Sequence, residues 1–198
     1  MIDYQYIDFS NFGYVKGKIS SELLVDLQKE SETCERDNSI YETNISRYEG
    51  CVPHYNISDI LSFRLANEIK PLIQGIIQQK RSYIKIVNFI NKSAPIIFDK
   101  PWMNIYRSGD LLPLHNHYGV YSYSVWVKLP PTSMFQFLYT STTGQQLIED
   151  HPLIPKDEGT VLVFPGQLMH VVYPFSYQDE VRVSVSGNIM LDVRDIDD

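Results

Sequence analysis

Cysteine is nearly absent from this sequence: Cys34 and Cys51 are the only two in 198 residues. That is too few for the disulfide framework of a small secreted domain, so two ordinary thiols are expected, with a single Cys34–Cys51 bridge as the alternative. Long apolar runs are missing too, which excludes a membrane-spanning helix. The opening MIDYQYIDFS lacks the basic start and apolar stretch of a secretory signal, and a cytoplasmic location is expected. No block of lysine or arginine occurs in a chain of formal charge −7. A nucleic-acid phosphate backbone is therefore not an expected partner, whereas a small charged substrate fits. No repeat, low-complexity tract or linker divides the chain. One domain over 1–198 is expected, with a helix-containing support region at 1–80 and a β-rich core at 81–198.

What is present is an ordinary globular composition, 43% hydrophobic and 21% charged, with an excess of tyrosine at 14 residues. After a strand-like piece around Phe12 to Lys16, Ser20 or Ser21 can cap a helix with Glu22 in its first turn and Leu23, Leu24 and Leu27 on one face; it should end before Cys34. Residues Asp37 to Tyr55 mix Asn, Ser, Gly and Pro and read as a surface loop. Asn56 or Ser58 then caps a second helix, in which Leu61, Leu65, Ile69, Leu72 and Ile76 recur at helical spacing. Pro71 should kink or split it.

From Arg81 onward the pattern changes to short β-rich runs: Tyr83 to Ile90, Ile96 to Phe98, Trp102 to Arg107, Val120 to Leu129, Met134 to Thr140, Thr160 to Phe164, His170 to Tyr173 and Val181 to Met190. Breaks at Gly109-Asp110, Pro130-Pro131, Thr143-Gly144 and Pro165-Gly166 point to a mainly β, α+β fold, a jelly roll preceded by helices. The segments Thr140 to Pro155 and Asp37 to Tyr55 are the expected rim loops.

Only five histidines occur, and three of them stand in two places where strands should end, LHNHYG and LMHVVYP. His115 and His117 are two apart, so on an extended strand their side chains leave one face and converge, while Asn116 points away. His170 follows the Pro165-Gly166 turn, from which a distant strand of a jelly roll can reach the same cavity. Three neutral imidazoles suit Fe, Zn, Cu and Ni alike, and each histidine alone reads more often as a hydrogen-bonded structural residue than as a ligand.

The segment EVRVSVSGN alternates strictly: Arg182, Ser184 and Ser186 on one face, Val181, Val183 and Val185 on the other. An arginine facing into a β-sandwich needs an anionic partner. A small carboxylate matches the guanidinium fork in two hydrogen bonds, with a serine adding a third. The alternatives are an internal Asp or Glu partner, or the reverse assignment of faces. Trp102 and Trp126 read as core or pocket wall.

In order, Tyr106-x-x-Gly109, His115-x-His117, His170 in VLVFPGQLMHVVYP and Arg182-x-Ser184 resemble the Fe(II)/2-oxoglutarate oxygenases. The pattern is similar to the prolyl-4-hydroxylase-like group of phages and marine bacteria, in which W-x-N-I-Y precedes H-N-H and F-P-S-x-x-x-H precedes E-R-[IV]-S. Trp102, Asn104, Ile105 and Tyr106 match the first part. The resemblance spans roughly 101 to 190. It implies a double-stranded β-helix buttressed by N-terminal helices, Fe(II) and 2-oxoglutarate as cofactor and co-substrate with O2, and hydroxylation of a substrate with release of succinate and CO2. It also implies the cytoplasm of a bacterium or a phage-infected cell.

Carried over by residue, the resemblance implies His115 and His170 as ligands, Arg182 on the distal carboxylate of 2-oxoglutarate with Ser184 assisting, and Tyr106 and Asn104 lining the same pocket. The family usually has Asp or Glu where this sequence has His117. Three readings stay open: His117 is the third ligand, it turns away and water replaces it, or catalysis has been lost. Asp110 is poorly spaced from His115 to supply the carboxylate. Two other function classes also fit: a non-catalytic jelly-roll metal-binding or structural module, and a cupin-like three-histidine dioxygenase that uses no 2-oxoglutarate. The substrate, a peptide or a small molecule, and the oligomeric state leave no readable mark.

Overall fold

The computed structural model describes residues 13–34, 36, 52–79, 96–141 and 143–191. Its first strand, β1, runs Val15–Lys18, and helix α1 follows at Ser21–Cys34. Ser20 caps this helix: its Oγ accepts from Leu23 N–H at 3.2 Å and donates to Glu68 at 2.6 Å, joining the helix start to the second helix. Leu23 and Leu27, one turn apart, are fully buried. The helix runs one residue further than its sequence suggests, because Cys34 is itself buried against the Asn56 carbonyl.

Helix α2, Asp59–Gln79, starts after Ser58, whose carbonyl accepts the first intrahelical bond from Ser62 N–H. Leu61, Leu65, Ile69 and Ile73 form its buried stripe at four-residue spacing. The helix continues through Pro71 as one element instead of splitting there. The side chain of Ile76, the strand expected at 83–90, Phe12 and Cys51 lie outside the described residues. No helix among the described residues is long and apolar enough to cross a membrane.

The remaining strands are β2 (His54–Asn56), β3 (Ile96–Phe98), β4 (Trp102–Tyr106), β5 (Leu112–His115), β6 (Tyr121–Lys128), β7 (Ser133–Thr140), β8 (Gln146–Leu153), β9 (Thr160–Pro165), β10 (Met169–Val172) and β11 (Arg182–Leu191). They form two antiparallel sheets. The major one has the order β1-β9-β6-β11-β4-β2, with β3 also on β11, and the minor one the order β5-β10-β7-β8. This is the expected jelly roll. Its major sheet is buried on both faces: Val125, Val163, Val183 and Val185 pack in one cluster with the helices, while Trp126, Leu162 and Phe164 pack with Phe135 and Phe137 of the minor sheet.

Two expectations for the rim are corrected. Residues 146–153 are a strand, not a loop: β8 is a sheet edge whose burial is confined to His151 and Leu153, so its sequence shows no apolar alternation. Val52, His54 and Tyr55 are buried, not on a surface loop, because β2 pairs with β4 and sets His54 opposite Asn104.

Candidate active site

The two sheets leave between them a small cavity of about 20 Å³, and both sequence clusters line it. At one end stand the three histidines. Antiparallel pairing of β5 with β10 sets His115 directly opposite His170, with ring centroids 4.1 Å apart. His115 Nδ1–H donates to the Pro113 carbonyl at 2.7 Å, and His170 Nδ1–H to the Leu168 carbonyl at 2.9 Å. A carbonyl can only accept, so these bonds fix both tautomers and leave each Nε2 with its lone pair.

His117 arrives by a different route from the one its spacing suggests. Strand β5 stops at His115, and His117 lies beyond it in the following turn. That turn is bolted to the β9–β10 connection: His117 N–H donates to the Gly166 carbonyl at 2.8 Å and Gly166 N–H to the Val120 carbonyl at 3.1 Å. Gln167 completes the joint, donating from Nε2 to the His117 carbonyl and accepting from Asn116 Nδ2, each at 3.0 Å. A side chain at 166 would collide with the Gly119 carbonyl, so only glycine allows this approach. The result brings His117 Nε2 to 3.2 Å from His170 Nε2. Asn116, as expected, points away.

One ligand atom from each of His115, His117 and His170 lies within 4.8 Å of the others. Nitrogens bound to one metal ion at about 2.1 Å stand about 3 Å apart when adjacent, so the set can close on a metal. Burial pushes all three rings toward the neutral form. His117 falls to about 3, through desolvation first and then the neighbouring His115 and His54. His170 lies well below its ordinary value for the same leading reason, with His115 and His117 adding to it, and His115 is lowered by burial, opposed by its bond to Pro113. Neutral imidazoles are the form that binds metal. Asp110 supplies nothing here: its carboxylate accepts from Arg107 N–H at 2.7 Å in its own turn.

At the other end lies Arg182, 1% exposed. Its Nη1 donates to Ser133 Oγ at 2.7 Å and to the Tyr173 carbonyl at 2.8 Å. The guanidinium carbon sits 4.1 Å above the Tyr106 ring and 5.4 Å from that of Phe175. Nε and Nη2 are buried and have no partner. These two nitrogens form the side-on edge of the guanidinium, the edge that grips a carboxylate by two parallel hydrogen bonds. Among the described residues no acid pairs with Arg182. Burial lowers its pKa to about 10, opposed by Tyr106 and Asp110, and leaves it charged at neutral pH.

Between the two ends the alternation of β11 puts Ser184 and Ser186 on the cavity side, as expected. Asn104 Nδ2 lies 3.4 Å from both serine hydroxyls, its Oδ1 is buried without a partner, and Ser186 Oγ is 3.2 Å from Ser124 Oγ. Trp102 and Trp126 form wall. The sequence reading missed three participants. Ser133 and the Tyr173 carbonyl orient Arg182 through atoms that carry no pattern. His54, 2% exposed, lines the same cavity with its ring stacked on Trp102 at 5.5 Å, while Trp102 in turn meets His117. A histidine beside a Pro in a loop-like stretch gave no signal beyond its own scarcity.

Residues 100–188, a little under half of the chain, match the family model described as "Putative 2OG-Fe(II) oxygenase". No curated protein sequence matches the chain. Solved structures do share the fold. A prolyl-4-hydroxylase of Pseudomonas putida is 14% identical at a TM-score of 0.56, over 89% of this chain and 91% of that one. A prolyl hydroxylase of Trichoplax adhaerens, in complex with a hypoxia inducible factor oxygen degradation domain peptide, is 11% identical at 0.61, over 91% and 82%. HygX of Streptomyces hygroscopicus, with nickel and 2-oxoglutarate bound, is 12% identical at 0.58, over 90% and 82%.

Proposed function

We propose that the chain is an oxygenase of the 2-oxoglutarate/Fe(II) type that hydroxylates a peptide or small molecule, a reading supported by the family match over residues 100–188 and consistent with the fold. His115, His117 and His170 would hold Fe(II), and Arg182 the distal carboxylate of 2-oxoglutarate. The observation that carries this reading is the unpartnered Nε and Nη2 edge of Arg182, buried in the same cavity as three converging neutral imidazoles. When bound, the metal and co-substrate supply the oxidation: O2 converts 2-oxoglutarate to succinate and CO2, and a C–H bond of the substrate to an alcohol.

The chain's own residues hold, orient and exclude water. The carbonyls of Pro113 and Leu168 fix the rings of His115 and His170, so their Nε2 lone pairs would be available to a metal ion. The Gly166 and Gln167 joint holds the backbone of His117, whose ring would serve as third ligand. Ser133 and the Tyr173 carbonyl occupy Nη1, which leaves the other edge of Arg182 for the co-substrate. The Tyr106 ring backs the guanidinium, and Ser184 and Asn104 would offer hydroxyl and amide groups to the co-substrate. Phe135, Phe164 and Trp126 wall the site with apolar surface, so each charge-assisted bond within it is strengthened.

A non-catalytic module would have no use for the open edge of Arg182, and neither would a three-histidine dioxygenase working without 2-oxoglutarate. The test is anaerobic addition of Fe(II) and 2-oxoglutarate with the visible spectrum recorded. The reading requires a metal-to-ligand charge-transfer band that needs both additions, and its absence from intact protein would overturn it. Succinate release on admitting air then separates an enzyme from a binding module.

A further inference from the structure

Two of the three histidine rings are anchored through Nδ1, that of His115 to the Pro113 carbonyl and that of His170 to the Leu168 carbonyl. The ring of His117 has no such anchor among the described residues. Its close polar contact is from Nε2 to Nε2 of His170 at 3.2 Å, and those are the atoms a shared metal would take. The joint to Gly166 and Gln167 holds only the His117 backbone, so rotation about the side-chain bonds is limited by packing. What packs there comes from the edge of the major sheet. The Trp102 indole lies 5.8 Å from the His117 ring, tilted by 45°, and 5.5 Å from the His54 ring, within 23° of parallel. Both separations are those of rings in contact.

Trp102 and His54 stand on paired strands, and each is fixed by its register. Trp102 faces Ser186 of β11 and Asn56 of β2, and His54 faces Asn104 of β4. The two are 7% and 2% exposed, and both line the cavity that the three histidines line. Movement of the indole away from His117 disturbs the His54 stack, which the β2–β4 pairing holds in place. We propose that Trp102 and His54 are positioning residues that set the plane of the His117 ring, so that it meets the same ion as His115 and His170. The proposal rests on the reading of these three histidines as metal ligands and adds the residues that aim the third. His54 acts through Trp102 and stands outside the ligand group itself. A flat imidazole is what such a stack can steer; a carboxylate at position 117 would offer it no ring.

The test titrates the full chain with Co(II), whose visible ligand-field bands report its ligands and geometry, and records urea denaturation of the metal-free protein alongside. In His54→Ala the indole loses its support, and Co(II) should bind about tenfold more weakly with its bands altered in position or intensity. His54→Phe keeps a flat ring in the stack and removes both nitrogens; it should return the affinity to within about threefold of the unaltered protein, with the original bands. The pair Trp102→Leu and Trp102→Phe repeats the comparison at the ring that meets His117, and decides the matter if His54→Ala does not fold. A purely structural role for His54 gives a different result, a lower urea midpoint with Co(II) affinity and bands unchanged in the folded protein, and that result overturns the proposal. So does a His54→Phe protein as impaired in metal binding as His54→Ala, because the imidazole nitrogens and not the stack would then be the working part. Bands already absent from the unaltered protein remove the metal assignment and this proposal with it, whereas normal bands that ignore the loss of either ring remove this proposal alone.

Discussion

The two ends of the cavity are built on opposite principles. The histidine end is assembled from the short strands β5 and β10 and a turn, and its rings are oriented by backbone carbonyls. The arginine end rests on β11, a ten-residue strand at the centre of the major sheet, and two of its nitrogens are left without partners. One end is pre-arranged by hydrogen bonds already made; the other is pre-arranged to make bonds to something absent from the chain. Rigidity comes from the satisfied groups, and on the proposed reading affinity would come from the unsatisfied ones.

The largest expected effect breaks the histidine end. Gly166→Ala drives a methyl group into the Gly119 carbonyl, so the turn carrying His117 must move. Stability should fall by about 2 kcal/mol or more, and metal affinity by about tenfold, with His115 and His170 still in place. Denaturant midpoints and metal titration measure the two separately. An unchanged metal affinity would show that His117 is not a ligand.

Acid probes the same end next. His54, His115, His117 and His170 all have pKa values lowered by burial. Below about pH 6.5 the unfolded chain takes up protons that the folded chain refuses, so stability present above that pH is lost as pH falls. Metal-free protein should lose on the order of 1 kcal/mol per histidine between pH 7 and pH 5 in urea denaturation. Bound metal should shift the loss to lower pH. Smaller again is Gln167→Ala, which removes the side-chain half of the joint and leaves the backbone half: a loss of about 1 kcal/mol is expected, with metal affinity changed by about threefold or less. A loss equal to that of Gly166→Ala would mean that the side chain, not the backbone approach, positions His117.

The arginine end was the more legible in the sequence. Strict alternation in EVRVSVSGN carries the face assignment by itself, because a central strand buried on both sides still separates a polar side from an apolar one, and Arg182, Ser184 and Ser186 stand where that alternation puts them. The histidine end was legible as a set but not as a structure. Spacing placed His115 and His117 together, yet what brings His117 in is a glycine contact and a glutamine bond across 50 residues, and contacts of that separation leave no periodicity. Strand β8 and the buried His54 escaped for related reasons: an edge strand with little burial lacks alternation, and a three-residue strand is too short to show any. Of the helices, both stripes were readable from leucine and isoleucine spacing, whereas tolerance of Pro71 depends on tertiary packing.

The central claim is that the histidine end holds the metal and the arginine end the distal carboxylate of a co-substrate that reaches it, and Arg182→Met tests it most directly. The variant keeps an unbranched apolar stem and removes a buried cation whose two open nitrogens destabilise the empty cavity, so the metal-free fold should be as stable as before or more so by about 1 kcal/mol. Anaerobic titration of 2-oxoglutarate into the Fe(II)-loaded variant, followed by the charge-transfer band, should give unchanged iron binding and an affinity for 2-oxoglutarate about a hundredfold weaker. A variant that binds 2-oxoglutarate as tightly as the unaltered protein, or that loses iron along with it, would contradict the account.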